Sequence, residues 1–261
     1  MTRRSPNLAA LLSGGALLLS LVLTLFVYHA NRTLTIPVGD LGDSAFVSNF
    51  YADEQDLLYR YRWTRGESSV RLKGMGGAEV ESVTVVAQGA RLDLTGPPAT
   101  LEVQVDGRAW QPQPVTLTQA LAGYTFRPPQ QQPGGELLLT LRSSTFRPPG
   151  DARDLGVKVD SITLQQSGSG LNLPPLSTIV WTLAAVGGVL GLLSRSRPVL
   201  QAITGLVAAL LLAVGLAANP LFVSAYLPPI AAIVALSGLL VWQTDRRARW
   251  PEAFEGLRER R

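Results

Sequence analysis

The 261-residue sequence lacks several residue types on which common classes of protein depend. It contains no cysteine, which excludes disulfide bonds, thiolate metal sites and a cysteine nucleophile within this chain. Its single histidine, His29, excludes a conventional metal site built from several histidines. Charged residues make up only 16% of the chain, against about 25% in typical soluble domains, and the mean hydropathy is +0.20. This combination argues against an intrinsically disordered protein.

Charged residues are missing from three long stretches of the sequence. No Asp, Glu, Lys or Arg occurs over 5–31, 161–194 or 198–244. A bilayer core of about 30 Å needs about 20 apolar residues as a helix, so the first two stretches can each hold one membrane span and the third can hold two. The predicted spans are 8–28, 174–193, 199–218 and a helix within 221–242. Pro228 and Pro229 lie in the first half of the last span, which is expected to start late or to be kinked.

The first span can be a cleaved signal peptide or an uncleaved signal anchor. The anchor is favoured because the apolar run is long and Tyr28 interrupts the small-residue pattern of a cleavage site. Arginines flank the predicted spans in three clusters, at 3–4, 195–197 and 246–261. Since positive loops stay cytoplasmic, we expect both termini inside and residues 31–173 outside.

The sequence pI of about 9.8 would by itself suggest nucleic-acid binding. Outside residues 31–170 there are ten arginines and four acidic residues, a net charge of +6. Inside that segment, thirteen basic residues face fifteen acidic residues, a net charge of −2. The basic charge therefore belongs to the regions around the predicted spans, and the expected partner is a lipid bilayer rather than nucleic acid.

Residues 31–166 have the pattern of an all-β domain. Apolar and polar residues alternate over 101–106 and nearly alternate over 157–164, as they do in strands with one buried face. Further strands are predicted at 34–38, 58–63, 69–72, 80–87, 91–94, 123–126 and 136–141. Asp106–Gly107 predicts a type I′ hairpin turn, and a short helix is expected around 52–57. Many short strands separated by Pro and Gly pairs predict a β-sandwich or jelly roll, followed by a flexible tether at 167–173.

Two groups of residues in this domain resemble a known family. The first is Gly39-Asp40-Leu41-Gly42-Asp43, then Phe46, Phe50-Tyr51 and Glu54, leading to Tyr61-Arg62-Trp63-Thr64. The second is Ser144-Thr145-Phe146-Arg147-Pro148, then Asp151-Ala152-Arg153-Asp154-Leu155-Gly156-Val157. Together they resemble the extracytoplasmic jelly-roll domain of Chloroflexota-like bacterial multispanning membrane proteins, some of which carry a family 39 glycosyltransferase of the dolichyl-phosphate-mannose transferase type. The likeness covers residues 38–164.

The resemblance implies contact with a glycan, because such domains look like carbohydrate-binding jelly rolls. A transferase of that class has many more spans, with an acidic motif in its first external loop, whereas Asp40 and Asp43 here begin the sandwich. We therefore expect the glycosyltransferase core to be absent. The predicted fold is a membrane protein with an all-β extracytoplasmic jelly-roll-like β-sandwich and four transmembrane α-helices, in the bacterial cytoplasmic membrane. Its predicted segments are 1–30, 31–166, 167–173, 174–243 and 244–261.

Aromatic and charged residues supply the candidate sites. Tyr59, Tyr61 and Trp63 share one face of a predicted strand, where burial is favoured over an exposed platform for a sugar ring. The charged stretch 147–160 is favoured as a loop held by ion pairs, with a ligand site or a Ca²⁺ site as alternatives. Asp40, Asp43 and Glu54 are favoured as turn and capping carboxylates over catalytic acids. The candidate ligand-binding residues are Arg62, Trp63, Trp110, Arg147, Asp151 and Arg153.

These patterns predict a non-catalytic envelope protein without cofactor or metal, whose external sandwich binds a glycan, a polysaccharide or a partner protein. The alternative is an accessory subunit of a membrane glycosyltransferase or of another membrane complex. Glycine and alanine at 187–188 and 205–209 suit close packing of helices, either within the chain or against other subunits.

Overall fold

The computed structural model describes residues 6–89, 97–194 and 198–258. The chain divides into two units, one formed by Asn31–Leu173 and the other by Met1–Ala30 together with Pro174–Arg261. The predicted strand at 91–94 lies outside the described residues. So do the arginines at positions 3, 4, 195, 197, 260 and 261.

The described residues of the second unit form four helices. They are α1 (Pro6–Ala30), α2 (Leu176–Leu192), α3 (Pro198–Ala218) and α4 (Pro220–Arg258). Asn219 starts the last of these, since its side-chain oxygen accepts hydrogen bonds from the backbone amides of Leu221 at 3.1 Å and Phe222 at 3.3 Å. Helix α4 begins before the Pro228–Pro229 pair and continues through it to Arg258.

Three helical segments among the described residues are long and apolar enough to cross a membrane. They are Ala10–Ala30, Pro198–Ala218 and Pro220–Thr244. Helix α2 has 17 residues, about 26 Å at 1.5 Å per residue, which is shorter than a bilayer core of about 30 Å. Three of the predicted spans are therefore matched by helices of spanning length, and the span at 174–193 is not confirmed.

Glycines bring α2 and α4 into close contact. A Cβ atom placed on Gly188 would lie 2.7 Å from the backbone nitrogen of Ala235, and one placed on Gly238 would overlap the carbonyl oxygen of Gly188. On α3, a Cβ atom on Gly205 would meet the side chain of Leu190 at 2.7 Å. Small residues are needed where α2 crosses α4 because the backbones themselves touch, and at Gly205 because the Leu190 side chain lies against α3.

The other unit is built on antiparallel strands. Within the described residues these are β1 (Thr33–Pro37), β2 (Val47–Gln55), β3 (Arg60–Leu72), β4 (Val80–Gln88), β5 (Thr100–Val105), β6 (Arg108–Ala109), β7 (Val115–Thr116), β8 (Ala122–Phe126), β9 (Leu137–Ser143) and β10 (Lys158–Gln166). The order is β6-β5-β9-β3-β10-β4-β8, with β1 beside β10, β2 beside β3 and β7 beside β5.

Strand β10 pairs with three other strands. One edge of β10 pairs along its length with β4, while its other edge pairs first with β3, at Lys158–Trp63 and Val159–Arg62, and then with β1. The long strands bury alternate residues, as in β5, where Leu101, Val103 and Val105 are buried and the residues between them are not. The predicted mostly β domain is confirmed as a single curled sheet with a buried apolar face.

The structure corrects two details of the sequence-based prediction. The helix expected around 52–57 is wrong, because β2 runs to Gln55 and is followed by a hairpin turn. Side chains of β2 are exposed on both faces, so the segment lacks the alternation that marks a strand. The strands predicted at 58–63 and 69–72 are one strand, β3. The type I′ turn is confirmed by the positive φ angles of Asp106 (48°) and Gly107 (77°).

Candidate ligand-binding site

An aromatic cluster lies on β3 and beneath the loop between β9 and β10. Tyr61, Trp63, Phe146 and Leu155 are buried together, with Tyr51 and Tyr59 partly buried against them. The ring centroids of Tyr61 and Trp63 are 6.1 Å apart, and those of Trp63 and Phe146 are 6.0 Å apart. The β3 aromatics are therefore packed in the domain, as was favoured, and do not form an open platform.

The carboxylate of Glu54 joins this cluster to the loop. It accepts hydrogen bonds from Trp63 Nε1 at 3.2 Å, from the Tyr61 hydroxyl at 3.3 Å and from Arg153 Nη1 at 2.7 Å. Burial, followed by the nearby charge of Glu54, raises the pKa of Tyr61 to about 12, because both disfavour the phenolate. Glu54 thus serves as an acceptor for three donors from two elements.

The remaining charged residues of the loop pair with one another. Arg153 Nη2 lies 2.8 Å from Asp151, and hydrogen bonds from Arg153 hold the pKa of the Asp151 carboxyl below its usual value. Arg147 and Asp154 form an exposed pair at 2.7 Å. The geometry is that of a loop held in shape by ion pairs.

Arg62 holds a second loop, the one between β1 and β2. Its Nε and Nη2 contact the two oxygens of Asp43 at 2.6 and 2.8 Å, and the buried Asp43 also accepts the backbone amide of Gly39 at 2.6 Å. The hydrogen bonds that Arg62 donates to the Asp43 carboxylate raise the pKa of Arg62. Arg62 also donates to the Tyr51 carbonyl, which ties this loop to the aromatic cluster.

The structure therefore brings five of the six candidate ligand-binding residues into one connected region. Trp110 lies elsewhere: its side chain is fully buried, and its backbone amide donates to Val103. Its indole nitrogen has no hydrogen-bond partner among the described residues. As folded, the Trp110 ring offers no surface to a ligand.

An open pocket of about 380 Å³ lies next to the aromatic cluster and was missed from the sequence. It occupies the end of the sheet where β1 ends and β10 begins, the opposite end of these strands from Thr33 and Gln166. Its polar lining consists of Asp40, Gln55, Tyr59, Arg60 and Asp160. Its apolar lining consists of Pro37, Val38, Leu57 and Leu58.

The wall of this pocket is a hairpin tip fixed by Asp56. The Asp56 carboxylate accepts the backbone amides of Leu58 at 3.0 Å and Tyr59 at 3.1 Å, and these bonds lower its pKa. The Asp56 amide donates in turn to the Tyr59 carbonyl at 3.2 Å. The Tyr59 hydroxyl donates to Gln88 at 2.7 Å. Both the backbone and the ring of this lining residue are therefore held in place.

Several polar groups in the pocket are free to bind. The side chains of Asp40, Gln55 and Arg60 make no hydrogen bond or ion pair within the described part of the chain. Asp160 has one oxygen bonded to Ser161 at 2.9 Å. A carboxylate, an amide and a guanidinium thus converge beside an aromatic ring without satisfying one another.

This site is not predicted from the sequence, because a helix around 52–57 would leave no hairpin tip at that position. A signal was present in the sequence nonetheless: Asp56 is followed by two leucines between two strands. Asp at the first position of a turn is common, and leucines at its centre are not.

No family model matches the sequence, and no curated protein matches it. Among solved structures, the C-terminal CBM6 of the laminarinase LamC from Zobellia galactanivorans shares 9% identity at a TM-score of 0.33, over 52% of this chain and 100% of that chain.

Two larger proteins are similar over a part of their length. The GH26-CBM35 β-(1,4)-mannanase of Podospora anserina shares 11% identity at a TM-score of 0.33, over 53% of this chain and 28% of that one. A family two carbohydrate esterase from Cellvibrio japonicus shares 16% identity at a TM-score of 0.32, over 55% and 36%. With TM-scores below 0.5 and identities below 25%, these likenesses do not identify a ligand for this chain.

Proposed function

We propose that this chain is a non-catalytic, membrane-anchored protein of the bacterial cell envelope, and that its β domain binds a glycan. The observation that carries the proposal is the pocket at the tip of β2 and β3, where unpaired polar groups line the same cavity as Tyr59. A sugar presents hydroxyls along its edges and an apolar face of C–H groups. Arg60, Asp40 and Gln55 can hydrogen-bond the hydroxyls, and the aromatic ring can contact the apolar face.

The size and the chemistry of the pocket agree with this function. Small-molecule sites are concave, with volumes of about 300–1,000 Å³ and a few polar groups that fix the orientation of the ligand. A bound sugar would satisfy polar groups that otherwise bond to water. The hairpin tip lowers the entropy cost of binding, since Asp56 already holds its backbone.

The absence of catalysis is part of the proposal. Of the three carboxylates considered as catalytic acids, Asp43 is committed to Arg62, and Glu54 is committed to Tyr61, Trp63 and Arg153. Asp40 and Asp160 remain in the pocket, and one oxygen of Asp160 already accepts the Ser161 hydroxyl, so we do not assign this pair to catalysis. Glycoside hydrolysis needs two cooperating carboxyl groups.

We also propose four membrane spans, with both termini cytoplasmic and residues 31–173 outside. Three helices of spanning length support this arrangement, together with the arginines that flank them in the sequence. Helix α2, with 17 residues, would span with local thinning of the bilayer.

Binding of a glycan is tested with the full chain in lipid nanodiscs on a glycan array, followed by titration with the best saccharide. We expect R60A and D40N each to weaken binding at least tenfold. R142A is the matched control, because Arg142 is an exposed arginine of the same domain that does not line the pocket. No binding to any saccharide, or equal loss in R142A and R60A, contradicts the proposal.

A groove on the helices favours the alternative function, that of an accessory subunit. Its volume is about 450 Å³, and glycines of α2 and α4 line it, with Leu239 and Trp242 at one side. Glycines let a further helix approach closely in a membrane. Purification in mild detergent tests this alternative: G187L should release a co-purifying membrane protein if the groove holds one, and a chain that purifies alone argues against it.

A further inference from the structure

The hairpin tip between β2 and β3 carries two leucines that contribute nothing to the core. Leu57 is 101% exposed and Leu58 is 89% exposed. Single exposed apolar residues are ordinary on protein surfaces, but two in succession at full exposure on one tip are not.

Turn chemistry does not account for these leucines. The centre of a tight turn favours Gly, Asn, Asp or Pro, each for a conformational reason that leucine does not share. Asp56 supplies the polar turn residue and fixes the backbone through its bonds to Leu58 and Tyr59. The tip therefore exposes both leucine side chains to water. Polar residues at these positions would be exposed at a lower cost in free energy.

A third exposed leucine follows a pocket residue in the sequence. Leu41 is 90% exposed and follows Asp40, one of the unpaired carboxylates of the pocket. Its loop is fixed because the Asp43 carboxylate binds the Gly39 amide and Arg62. Polar groups thus occupy the pocket, while exposed leucines stand along its rim.

We propose that the ligand of this pocket is a saccharide that carries an apolar chain, as an acylated or lipid-linked sugar does. The sugar lies against Tyr59 and the polar groups, and the first carbons of the chain lie on Leu57 and Leu58. Both leucines line the same cavity as Asp40 and Arg60, so one amphipathic molecule contacts both kinds of group. This inference rests on the proposed glycan binding and adds the class of glycan.

The size of the expected effect follows from the hydrophobic effect. Each methylene group removed from water strengthens binding about fourfold. A short chain that buries two or three such groups on the leucines therefore raises affinity at least tenfold over the free sugar.

The test compares matched probes on the full chain in nanodiscs. Each saccharide of a panel is titrated in its free form and as its hexyl glycoside, with empty nanodiscs subtracted to remove partition into lipid. We expect at least tenfold tighter binding of the hexyl form. In the L57S/L58S variant this advantage, taken as the ratio of the two affinities measured on the same variant, should fall below twofold.

The control variant is L171S, since Leu171 is another exposed leucine of the same unit, 73% exposed and absent from the pocket lining. It should keep the full advantage of the hexyl form. Equal binding of free and hexyl forms overturns this inference and leaves glycan binding intact. Failure of every saccharide in both forms overturns the proposed function and this inference with it.

A second copy of the chain is the other molecule that could cover the leucines. Because the chain has no cysteine, L57C and L171C each provide a single reactive thiol. Rapid disulfide-linked dimer formation by L57C, and not by L171C, would place a second copy on the tip and overturn the proposal. We expect both variants to stay monomeric under mild oxidation.

Discussion

At the scale of single residues, the most consequential contact is the ion pair between Asp43 and Arg62. Asp43 is buried, and the Arg62 side chain is only 15% exposed. The D43N substitution leaves a largely buried guanidinium with only the exposed carboxylate of Asp53, 3.5 Å from Nη2, as its counter-charge, so we expect a loss of about 3 kcal/mol in the free energy of unfolding. Urea unfolding followed by tryptophan fluorescence measures it.

The matched control for this prediction is D154N. Asp154 also pairs with an arginine, but both partners are more than half exposed, at 58% and 60% of their side chains. Water and salt screen such pairs, and we expect no measurable change in the urea midpoint. Similar losses in D43N and D154N would show that burial does not set the contribution of these pairs.

The raised pKa of Tyr61 predicts how the stability of the protein changes at alkaline pH. Its pKa of about 12 lies above the ordinary value of 10.0, so the folded protein holds this proton more tightly than the unfolded chain. The contribution to stability is complete below about pH 10 and is lost as the pH rises toward 12. Absorbance of tyrosinate after a rapid pH jump, in the parent protein minus Y61F, should show a midpoint near 12. A difference midpoint near 10 would mean that the hydroxyl is solvated.

Single residues were the level at which the sequence was least informative. The spacing of Tyr61 and Trp63 on one strand predicted that they share a face, which follows from the strand period. The bond of both residues to Glu54 could not be predicted, because it depends on how β2 pairs with β3. The same holds for Asp43 and Arg62, which lie 19 positions apart on a loop and a strand.

At the scale of elements, the β2–β3 hairpin shows where periodicity fails. Strands with one buried face, such as β5 and β10, were predicted because apolar and polar residues alternate along them. Strand β2 has little buried surface, so its residues carry no such pattern and a helix was expected instead. The pocket was missed with it, since the pocket is a product of that hairpin.

The contact between α2 and α4 gives a prediction with an internal control. A Cβ atom at Gly188 would meet backbone atoms of Val234 and Ala235 at 2.7 Å, whereas one at the neighbouring Gly187 would meet nothing within 4 Å. We expect G188A to destabilise the helical unit by about 1–3 kcal/mol through overpacking. G187A should be neutral or stabilising by up to about 1 kcal/mol, because alanine favours a helix.

Thermal melting of both variants in the same nanodiscs measures this difference. Equal melting temperatures for G188A and G187A would contradict a direct backbone contact at Gly188. The small residues at 187–188 suggested close packing, but the sequence could not tell which glycine faces α4, because two adjacent residues lie about 100° apart around a helix.

At the scale of the whole molecule, the distribution of charged residues predicts where the helices lie but not how long they are. The charge-free stretches contain α1, α2, α3 and the apolar part of α4, as expected for helices that cross lipid, where unpaired charge is costly. They did not fix the helix lengths: α2 is shorter than the predicted span, and α4 extends beyond its span to Arg258. Helix ends depend on capping groups such as Asn219, which lie outside any hydropathy window.

The proposed topology predicts which positions a membrane-impermeant reagent can reach. Three single-cysteine variants of the cysteine-free chain are informative: L57C in the β unit, S196C between two arginines, and T244C at the end of the apolar part of α4. With four spans and both termini inside, a maleimide that cannot cross the membrane labels L57C in intact cells. S196C and T244C react only after the membrane is opened, since arginine-flanked segments stay in the cytoplasm.

The short α2 makes S196C the decisive variant. If α2 does not span, the chain returns to the membrane only at α3, and position 196 stays on the same side as position 57. S196C would then be labelled in intact cells as strongly as L57C. The labelling of T244C would depend on how α3 and α4 cross the membrane. Labelling of L57C alone in intact cells, with all three reacting after permeabilisation, is the result expected for four spans.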